Sequence, residues 1–110
     1  MELREFEDEG GRRPFGVWFK ALDVMAAPRV QRALARLEAG NTSNVKSVGA
    51  GVFELKIDFG PGYRVYFGKD GKEIVILLGG GTKKRQDRDI QTAHVLWQNY
   101  KSRKKGRTCL

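Results

Sequence analysis

Residues 52–67, VFELKIDFGPGYRVYF, contain the pattern that decides the fold. Between residues 53 and 59 apolar and charged side chains alternate, which is typical of a strand with one buried face. The sequence Gly60-Pro61-Gly62 favours a turn, and the aromatic and β-branched residues 63–67 predict the returning strand. We therefore expect an antiparallel hairpin with one apolar and one polar face.

The polar face of this hairpin would bring five side chains together. A three-residue turn would pair Phe59 with Tyr63 and Asp58 with Arg64. A one-residue slip would bury charges, so the two faces are better determined than the individual pairs. The side chains could form cross-strand ion pairs of about 0.2–1 kcal/mol each, or an open face that performs chemistry. This polar face comprises Glu54, Lys56, Asp58, Arg64 and Tyr66.

The residues on either side of the hairpin complete a single α+β domain. Apolar positions recur at helical spacing in three segments, and the residues after the Asp70-Gly71 turn are almost all apolar, as in a central strand. The triplet Gly79-Gly80-Gly81 is expected to end that strand. The predicted strands are 2–8, 52–59, 63–67 and 73–78, and the predicted helices are 14–22, 28–39 and 86–101.

The helices are expected to bury apolar faces against the sheet. The second helix should begin at Pro28 and end at Gly40-Asn41. His94, in the last helix, is expected to serve packing rather than catalysis. The other face of the second helix, either a solvated row or a contact surface, carries Arg29, Arg32 and Arg36. The apolar side of the last helix carries Ile90, Ala93, Leu96, Trp97 and Tyr100.

Length and composition fit one soluble domain. The chain has 110 residues, 40% hydrophobic and 31% charged, and no apolar run approaches the roughly 18 residues that span a bilayer. Cys109 and His94 are the only cysteine and histidine, so the sequence predicts no disulfide, no metal centre and no two-histidine mechanism. The start of the chain is acidic and polar, unlike a secretory signal. We therefore expect a cytoplasmic protein that needs no cofactor.

Positive charge is concentrated at two places in a chain of net charge +8. Residues 101–110 contribute five basic groups and no acid. We therefore separate a domain of residues 1–101 from a basic tail of residues 102–110, which could be a nucleic-acid-binding arm, a solvated end or a vector remnant. After the glycine triplet come further cations, without the spacing of a Walker phosphate loop. These cations are Lys83, Lys84, Arg85 and Arg88.

Two segments resemble a known family. The run GVFELKIDFGPGYRVYF, followed by VILLGGGTKKRQDRDI and a closing helix, is similar to the RelE/ParE superfamily of type II toxins. In particular it resembles the phage-derived Gp49-like, HigB-type branch, the addiction module killer proteins, over about residues 1–101. The resemblance implies a RelE-like fold, in which two N-terminal helices pack on an antiparallel sheet with a C-terminal helix and a concave open face.

The same resemblance implies a toxin of a toxin–antitoxin module. Superfamily members are metal-independent endoribonucleases that enter the ribosomal A site, cut mRNA and stop translation. The implied partners are a helix-turn-helix antitoxin of the HigA type, the ribosome and mRNA, with operator DNA bound only through the antitoxin and no membrane. Two alternatives stay open: a ParE-like inhibitor of DNA gyrase without nuclease activity, and an inactive homologue that serves only as the antitoxin's partner.

Candidate site residues follow from the chemistry that the resemblance implies. The ribose 2′-hydroxyl would attack the adjacent phosphate, which requires a base, an acid and nearby positive charge. Arg64 matches the family's strand arginine and would grip the phosphate. Lys56, which matches a family lysine, or a carboxylate would be the base, and Tyr66 would relay a proton or stack on a base. The catalytic candidates are Lys56, Arg64, Tyr66, Lys83 and Lys84, and the RNA-binding candidates are Arg85, Arg88, Arg103, Lys104 and Lys105.

Two positions depart from the family pattern. Glu54 stands where the best-known members carry a further lysine. Ile90 falls near the position of their C-terminal tyrosine. The resemblance therefore supports the fold more strongly than it supports a particular catalytic set.

Overall fold

The computed structural model describes residues 1–108, with side chains described up to residue 105. Within that range five strands form one sheet, and helices pack on both of its faces. No helix in the described range combines the length and apolar character needed to cross a membrane. In chain order the elements are β1 (Glu2–Glu5), α1 (Pro14–Lys20), α2 (Ala26–Glu38), β2 (Val45–Ser47), β3 (Val52–Ile57), β4 (Tyr63–Asp70), β5 (Ile74–Thr82), a 3₁₀ turn (Lys83–Arg85) and α3 (Gln86–Thr108).

The sheet is mixed, with the spatial order β1-β5-β4-β3-β2. Strands β2 to β5 pair antiparallel, whereas the edge strand β1 runs parallel to β5. The α+β class is therefore confirmed, and the expectation of a purely antiparallel sheet is wrong. Parallel strands need a long connection, and here the first two helices and three strands lie between β1 and β5. The sequence did not predict β2, because three residues are too few to show a period.

The β3–β4 hairpin keeps the predicted faces but not the predicted pairs. Ile57 pairs with Tyr63 and Lys56 with Arg64, so the register differs by two residues from the expected one. The N–H of Phe59 donates to the Ile57 carbonyl (3.0 Å), which turns the chain out of the ladder early. A shift of two residues leaves every side chain on its predicted face.

Helices α1 and α2 cover the apolar face of the hairpin, as predicted. Helix α2 begins at Ala26 rather than at Pro28, directly after a turn at Asp23. The Asp23 carboxylate accepts a hydrogen bond from the Met25 N–H (2.5 Å), and its carbonyl accepts one from the Ala26 N–H (3.0 Å). The buried residues of this core are Phe15, Val30, Leu37, Leu55, Ile57, Val65, Phe67, Val75 and Leu77.

Helix α3 lies across the other face of the hairpin, so the expected open face is wrong there. Glu54 and Tyr66 are 1% exposed and Arg64 is 6% exposed. An amphipathic helix must bury its apolar stripe, and α1 and α2 already occupy the opposite face. The stripe predicted for α3 meets Tyr66 and the apolar residues around it. This second core comprises Phe6, Val52, Tyr66, Ile76, Leu78, Ala93 and Trp97.

The predicted packing role of His94, which lies on the same helix, is confirmed. The carbonyl oxygen of Val48 accepts a hydrogen bond from His94 Nε2 (2.9 Å). This contact ties α3 to the loop that precedes β3. The ring of Trp97, predicted as core, lies so close to β4 that a Cβ on Gly68 would come within 2.5 Å of it.

The glycine triplet does not end β5, which continues to Thr82. A Cβ on Gly80 would collide with the Trp18 side chain, and one on Gly81 would collide with Asp89. Glycine at these two positions therefore lets α1 and α3 approach the strand, and the predicted chain break is wrong. A register shift opposite Tyr66 and Phe67 marks a β-bulge just before the triplet.

The C-terminal half of α3 is anchored to the sheet. Asp70 accepts a hydrogen bond from the Tyr100 hydroxyl (2.5 Å) and pairs with Lys104. The Arg103 guanidinium lies over the Phe6 ring (5.2 Å) and donates to the Glu7 carbonyl (2.6 Å). Helix α3 thus passes residue 101 without a break, and a functional boundary at that point stays a prediction.

We predict that Asp70→Asn weakens this anchor and reduces the acid sensitivity of the fold. Hydrogen bonds from Lys104 and Tyr100 lower the pKa of Asp70 in the folded protein. A lowered pKa stabilises the fold above the unfolded value of 3.8, and this contribution is lost as the pH falls through the folded pKa. The free energy of unfolding, measured in urea from about pH 2 to pH 6, should therefore fall less steeply with acid in the variant. Glu73→Gln in the exposed turn is the control, and identical pH profiles for Asp70→Asn and wild type would contradict the prediction.

Candidate nucleic-acid interface

Glu54 is the centre of a buried polar cluster beneath α3. Its Oε1 lies 3.1 Å from Arg64 Nε and accepts a hydrogen bond from Gln86 Nε2 (2.7 Å). Its other oxygen lies 3.4 Å from Lys46 Nζ. A carboxylate taken out of water is costly unless paired and hydrogen-bonded, and here it is both. The cluster therefore fixes Arg64 and the first residue of α3 relative to the sheet.

The Gly62 carbonyl connects Arg64 to the next segment of the site. It accepts a hydrogen bond from Arg64 Nη1 (3.3 Å) and another from the backbone N–H of Lys83 (3.0 Å). Gly62 has φ +81°, and a Cβ there would lie 3.4 Å from Arg64 Nη1. Glycine thus permits both the backbone conformation and the close approach. The buried guanidinium of Arg64 consequently lies beside the start of the cationic segment.

That segment, residues 83–88, is called the basic loop below. It comprises the 3₁₀ turn and the first residues of α3, and it lines a concavity of about 480 Å³. The N-terminus of a helix attracts anions through its unpaired N–H groups and its dipole. The side chains of residues 83–88 carry four positive charges and one negative charge, that of Asp87, so together they favour a polyanion. The cations of the loop are Lys83, Lys84, Arg85 and Arg88.

Two further ionisable side chains lie between the cluster and the basic loop. Burial and the neighbouring Glu54 raise the pKa of Tyr66, so its phenol keeps the proton at neutral pH. Its hydroxyl makes no hydrogen bond within the described residues. Burial also raises the pKa of Asp89, an effect that the nearby Arg85 and Arg88 oppose.

The structure brings only part of the predicted set together. Lys56 is exposed and lies opposite Arg64 across the β3–β4 ladder. Arg103 and Lys104 lie in the anchor at the other end of α3, about 22 Å from Arg88 for a rise of about 1.5 Å per residue. Lys105 is exposed on the same distant turn. The RNA-binding candidates thus fall on two separate surfaces.

A second cationic groove runs between α2 and β3. It has a volume of about 200 Å³, and Lys56 and Phe59 belong to its lining. The Arg29 guanidinium lies 4.6 Å from the centre of the Phe59 ring. The arginine row of α2 therefore borders a concave surface, although the choice between a solvated row and a contact surface stays open. Its arginines are Arg29, Arg32 and Arg36.

Sequence reasoning missed several residues that build the site. Lys46 lies in an unpredicted strand, and Gln86 and Asp89 carry no pattern that sets them apart from other polar helix residues. The apolar stripe of α3 was the one available signal. The stripe had to pack on a face of the sheet, and the polar face of the hairpin was the face that α1 and α2 left uncovered. Among the described residues, no group of three or more histidine, cysteine, aspartate or glutamate side chains could hold a metal ion.

The fold and site together define a small basic α+β domain in which a buried ion pair supports a cationic loop. The sequence profile described as "Phage derived protein Gp49-like (DUF891)" matches residues 17–99. The chain therefore belongs to the Gp49-like phage-derived protein family, a RelE/HigB-type toxin family. Related RelE-type toxins are endoribonucleases. A protein of Haemophilus influenzae strain Rd, named "Uncharacterized protein", is 44% identical over 85 residues, which cover 76% of this chain and 86% of that protein.

We predict that Arg64→Met lowers the free energy of unfolding by about 3–5 kcal/mol, because it removes one partner of a buried ion pair. The double variant Glu54→Gln, Arg64→Met should recover most of that loss, since no buried carboxylate is left without its guanidinium. Denaturant unfolding of wild type, both single variants and the double variant measures the coupling. Equal stability of Arg64→Met and the double variant would contradict the prediction.

Proposed function

We propose that this protein is the toxin of a type II toxin–antitoxin module and acts as a metal-independent, ribosome-dependent mRNA endoribonuclease. The observation that carries the proposal is the position of Arg64, fixed by Glu54 and Gly62 beside the basic loop. Membership of a RelE/HigB-type toxin family supports the class of activity. Within that class, a preorganised guanidinium next to further cations suits stabilisation of a phosphorane-like transition state.

Binding of RNA comes first in the proposed mechanism. The basic loop contacts backbone phosphates, so its contribution depends on salt and not on sequence. Arg64 lies buried at the base of the loop, where its fixed positive charge would stabilise the phosphate under attack. Because its other contacts already fix it, little conformational entropy is lost when RNA binds.

Cleavage then proceeds by attack of the 2′-hydroxyl oxygen on the adjacent phosphorus. The 5′-oxygen of the next nucleotide departs and takes a proton, which leaves a 2′,3′-cyclic phosphate. Lys56 is our candidate for the base, because it is exposed and lies across the ladder from the arginine that holds the phosphate. Lys83 or Lys84 would donate the proton to the leaving oxygen. Tyr66, which lies beneath α3, is assigned no proton transfer in this scheme.

The partners follow from the same proposal. The ribosome would present mRNA to the basic loop in the cytoplasm, and a helix-turn-helix antitoxin of the HigA type would silence the toxin. Operator DNA would be contacted only through that antitoxin. The antitoxin could cover the basic loop itself or bind the arginine groove of α2.

We predict that Arg64→Lys reduces RNA cleavage by about 10²-fold without unfolding the protein. Lysine retains a positive charge beside Glu54 but not the planar fork that grips phosphate. Mapping of mRNA 5′ ends after brief induction checks this, with thermal unfolding of the purified variant alongside. Arg12→Lys, an exposed position outside the site, is the matched control.

Each result of this mapping has a distinct meaning. New ends inside translated frames in wild type and Arg12→Lys, but few in Arg64→Lys, support the proposal. Growth arrest with DNA breaks and intact mRNA would identify a ParE-like gyrase inhibitor instead. Absence of arrest in wild type would identify an inactive, antitoxin-bound homologue. Full cleavage by a folded Arg64→Lys protein would remove Arg64 from the mechanism.

We predict that neutralising the basic loop reduces the salt dependence of RNA binding. The triple variant Lys83→Gln, Lys84→Gln, Arg85→Gln removes three cations that can pair with phosphates. For single-stranded RNA the slope of log affinity against log salt should then change by about 0.7 for each phosphate left without its cation. Titration of a labelled single-stranded RNA at several salt concentrations measures the slope. Lys72→Gln is the control, and an unchanged slope in the triple variant would show that RNA binds elsewhere.

A further inference from the structure

A crevice of about 120 Å³ lies at the edge of β5, where α1 and α3 meet beyond the end of β1. It adjoins the basic loop, because Asp89 follows that loop directly along α3. One wall comes from α1 and the other from α3, and the floor comes from β4 and β5. The lining comprises Pro14 and Trp18, then Asp89, Thr92, Ala93 and Leu96, with Tyr66, Leu78, Gly79 and Gly80 as the floor.

Packing does not explain the first glycine of the triplet. A Cβ on Gly79 would meet no atom within 4 Å, whereas one on Gly80 or Gly81 would collide with a side chain. Gly79 also lacks the positive φ that requires glycine. Glycine within a strand is frequent beside a β-bulge, such as the one that precedes Gly79, and also where a ligand approaches the backbone closely. A side chain at position 79 would therefore begin in open space.

One buried polar group of the crevice has no hydrogen-bond partner among the described residues. Tyr66 is 1% exposed, and its hydroxyl has no hydrogen-bond partner among the described residues. Buried hydroxyls are nearly always paired, so an unpaired one points to a missing partner. The Asp89 carboxylate lines the same space and accepts hydrogen bonds in its ionised form.

We propose that this crevice binds one nucleobase of the RNA held by the basic loop, an inference that rests on the proposed function. The indole of Trp18 and the open backbone at Gly79 suit a planar ring. The Tyr66 hydroxyl would donate to a ring nitrogen or carbonyl oxygen, and Asp89 would accept from an amino group. The crevice should therefore prefer bases with an exocyclic amino group over uracil. Arg85 and Arg88, beside Asp89, would hold the phosphates of the same stretch of RNA.

Nucleotide titration of the ¹⁵N-labelled protein tests the ligand directly. Adenosine, cytidine, guanosine and uridine 3′-monophosphates are the probes, with inorganic phosphate as the control for the basic loop. We expect shifts of the Gly79 and Gly80 amides and of the Trp18 indole N–H, weakest for uridine. Gly79→Leu, which fills the crevice, should abolish these shifts, keep those of residues 83–88, and melt at no lower temperature than wild type. Shifts confined to residues 83–88 in wild type, or crevice shifts that persist in Gly79→Leu, would overturn the inference.

Cleavage maps separate failure of this inference from failure of the proposed function. Gly79→Leu and Asp89→Asn should still cut mRNA, but the base preference next to the cut should fall about fivefold or more. Glu73→Gln, which removes a carboxylate in an exposed turn, should keep the wild-type preference. Cleavage with unchanged base preference in both crevice variants would sink the inference and leave the nuclease intact. If wild type cuts no RNA, the proposed function fails, and the nucleotide titration alone decides what the crevice binds.

Discussion

The structure depends on the burial of one carboxylate, that of Glu54, between the sheet and a helix. A charge in that position is tolerable only when its partners are in place, and they come from three elements: Lys46 on β2, Arg64 on β4 and Gln86 at the start of α3. Removing any one of these partners leaves the Glu54 carboxylate poorly compensated. The cluster therefore makes the position of α3 a condition for the stability of the hairpin. It also gives a structural reason for the glutamate at position 54, where the best-known members of the family carry a lysine.

This constraint places the cationic groups where they can act together. Because Gln86 is fixed, the preceding residues must turn sharply from β5 into α3, and the turn exposes the basic loop. Because Arg64 is fixed by the same carboxylate, its guanidinium lies at the base of that loop. The Gly62 carbonyl joins the two segments through its pair of hydrogen bonds. The basic loop thus lies at one end of α3, while contacts of Arg103 and Lys104 attach the other end to the rest of the fold.

The sequence predicted those features that depend on a local period. Alternation in β3 and β4 set the two faces correctly, and the apolar stripe of α3 was identified residue by residue. The sequence could not show the features that depend on residues distant in the chain. The hairpin register shifted because a turn hydrogen bond at Phe59 shortened the ladder, and the glycine triplet was misread because Trp18 lies far from it in sequence. Burial of Glu54, Arg64 and Tyr66 was missed for the same reason, since no local pattern shows which face a helix will cover.

The anchor of α3 joins the segment after the first strand to the last helix. The Glu7 carbonyl and the Arg103 guanidinium are 96 positions apart in the chain, so their contact forms only after residue 103 has been synthesised. The parallel pairing of β1 with β5 imposes the same order, because the first strand must wait for one of the last. Contacts of such long sequence separation slow folding. A nascent chain therefore carries β1 without its partner until β5 has been made, and that edge of the sheet forms only then.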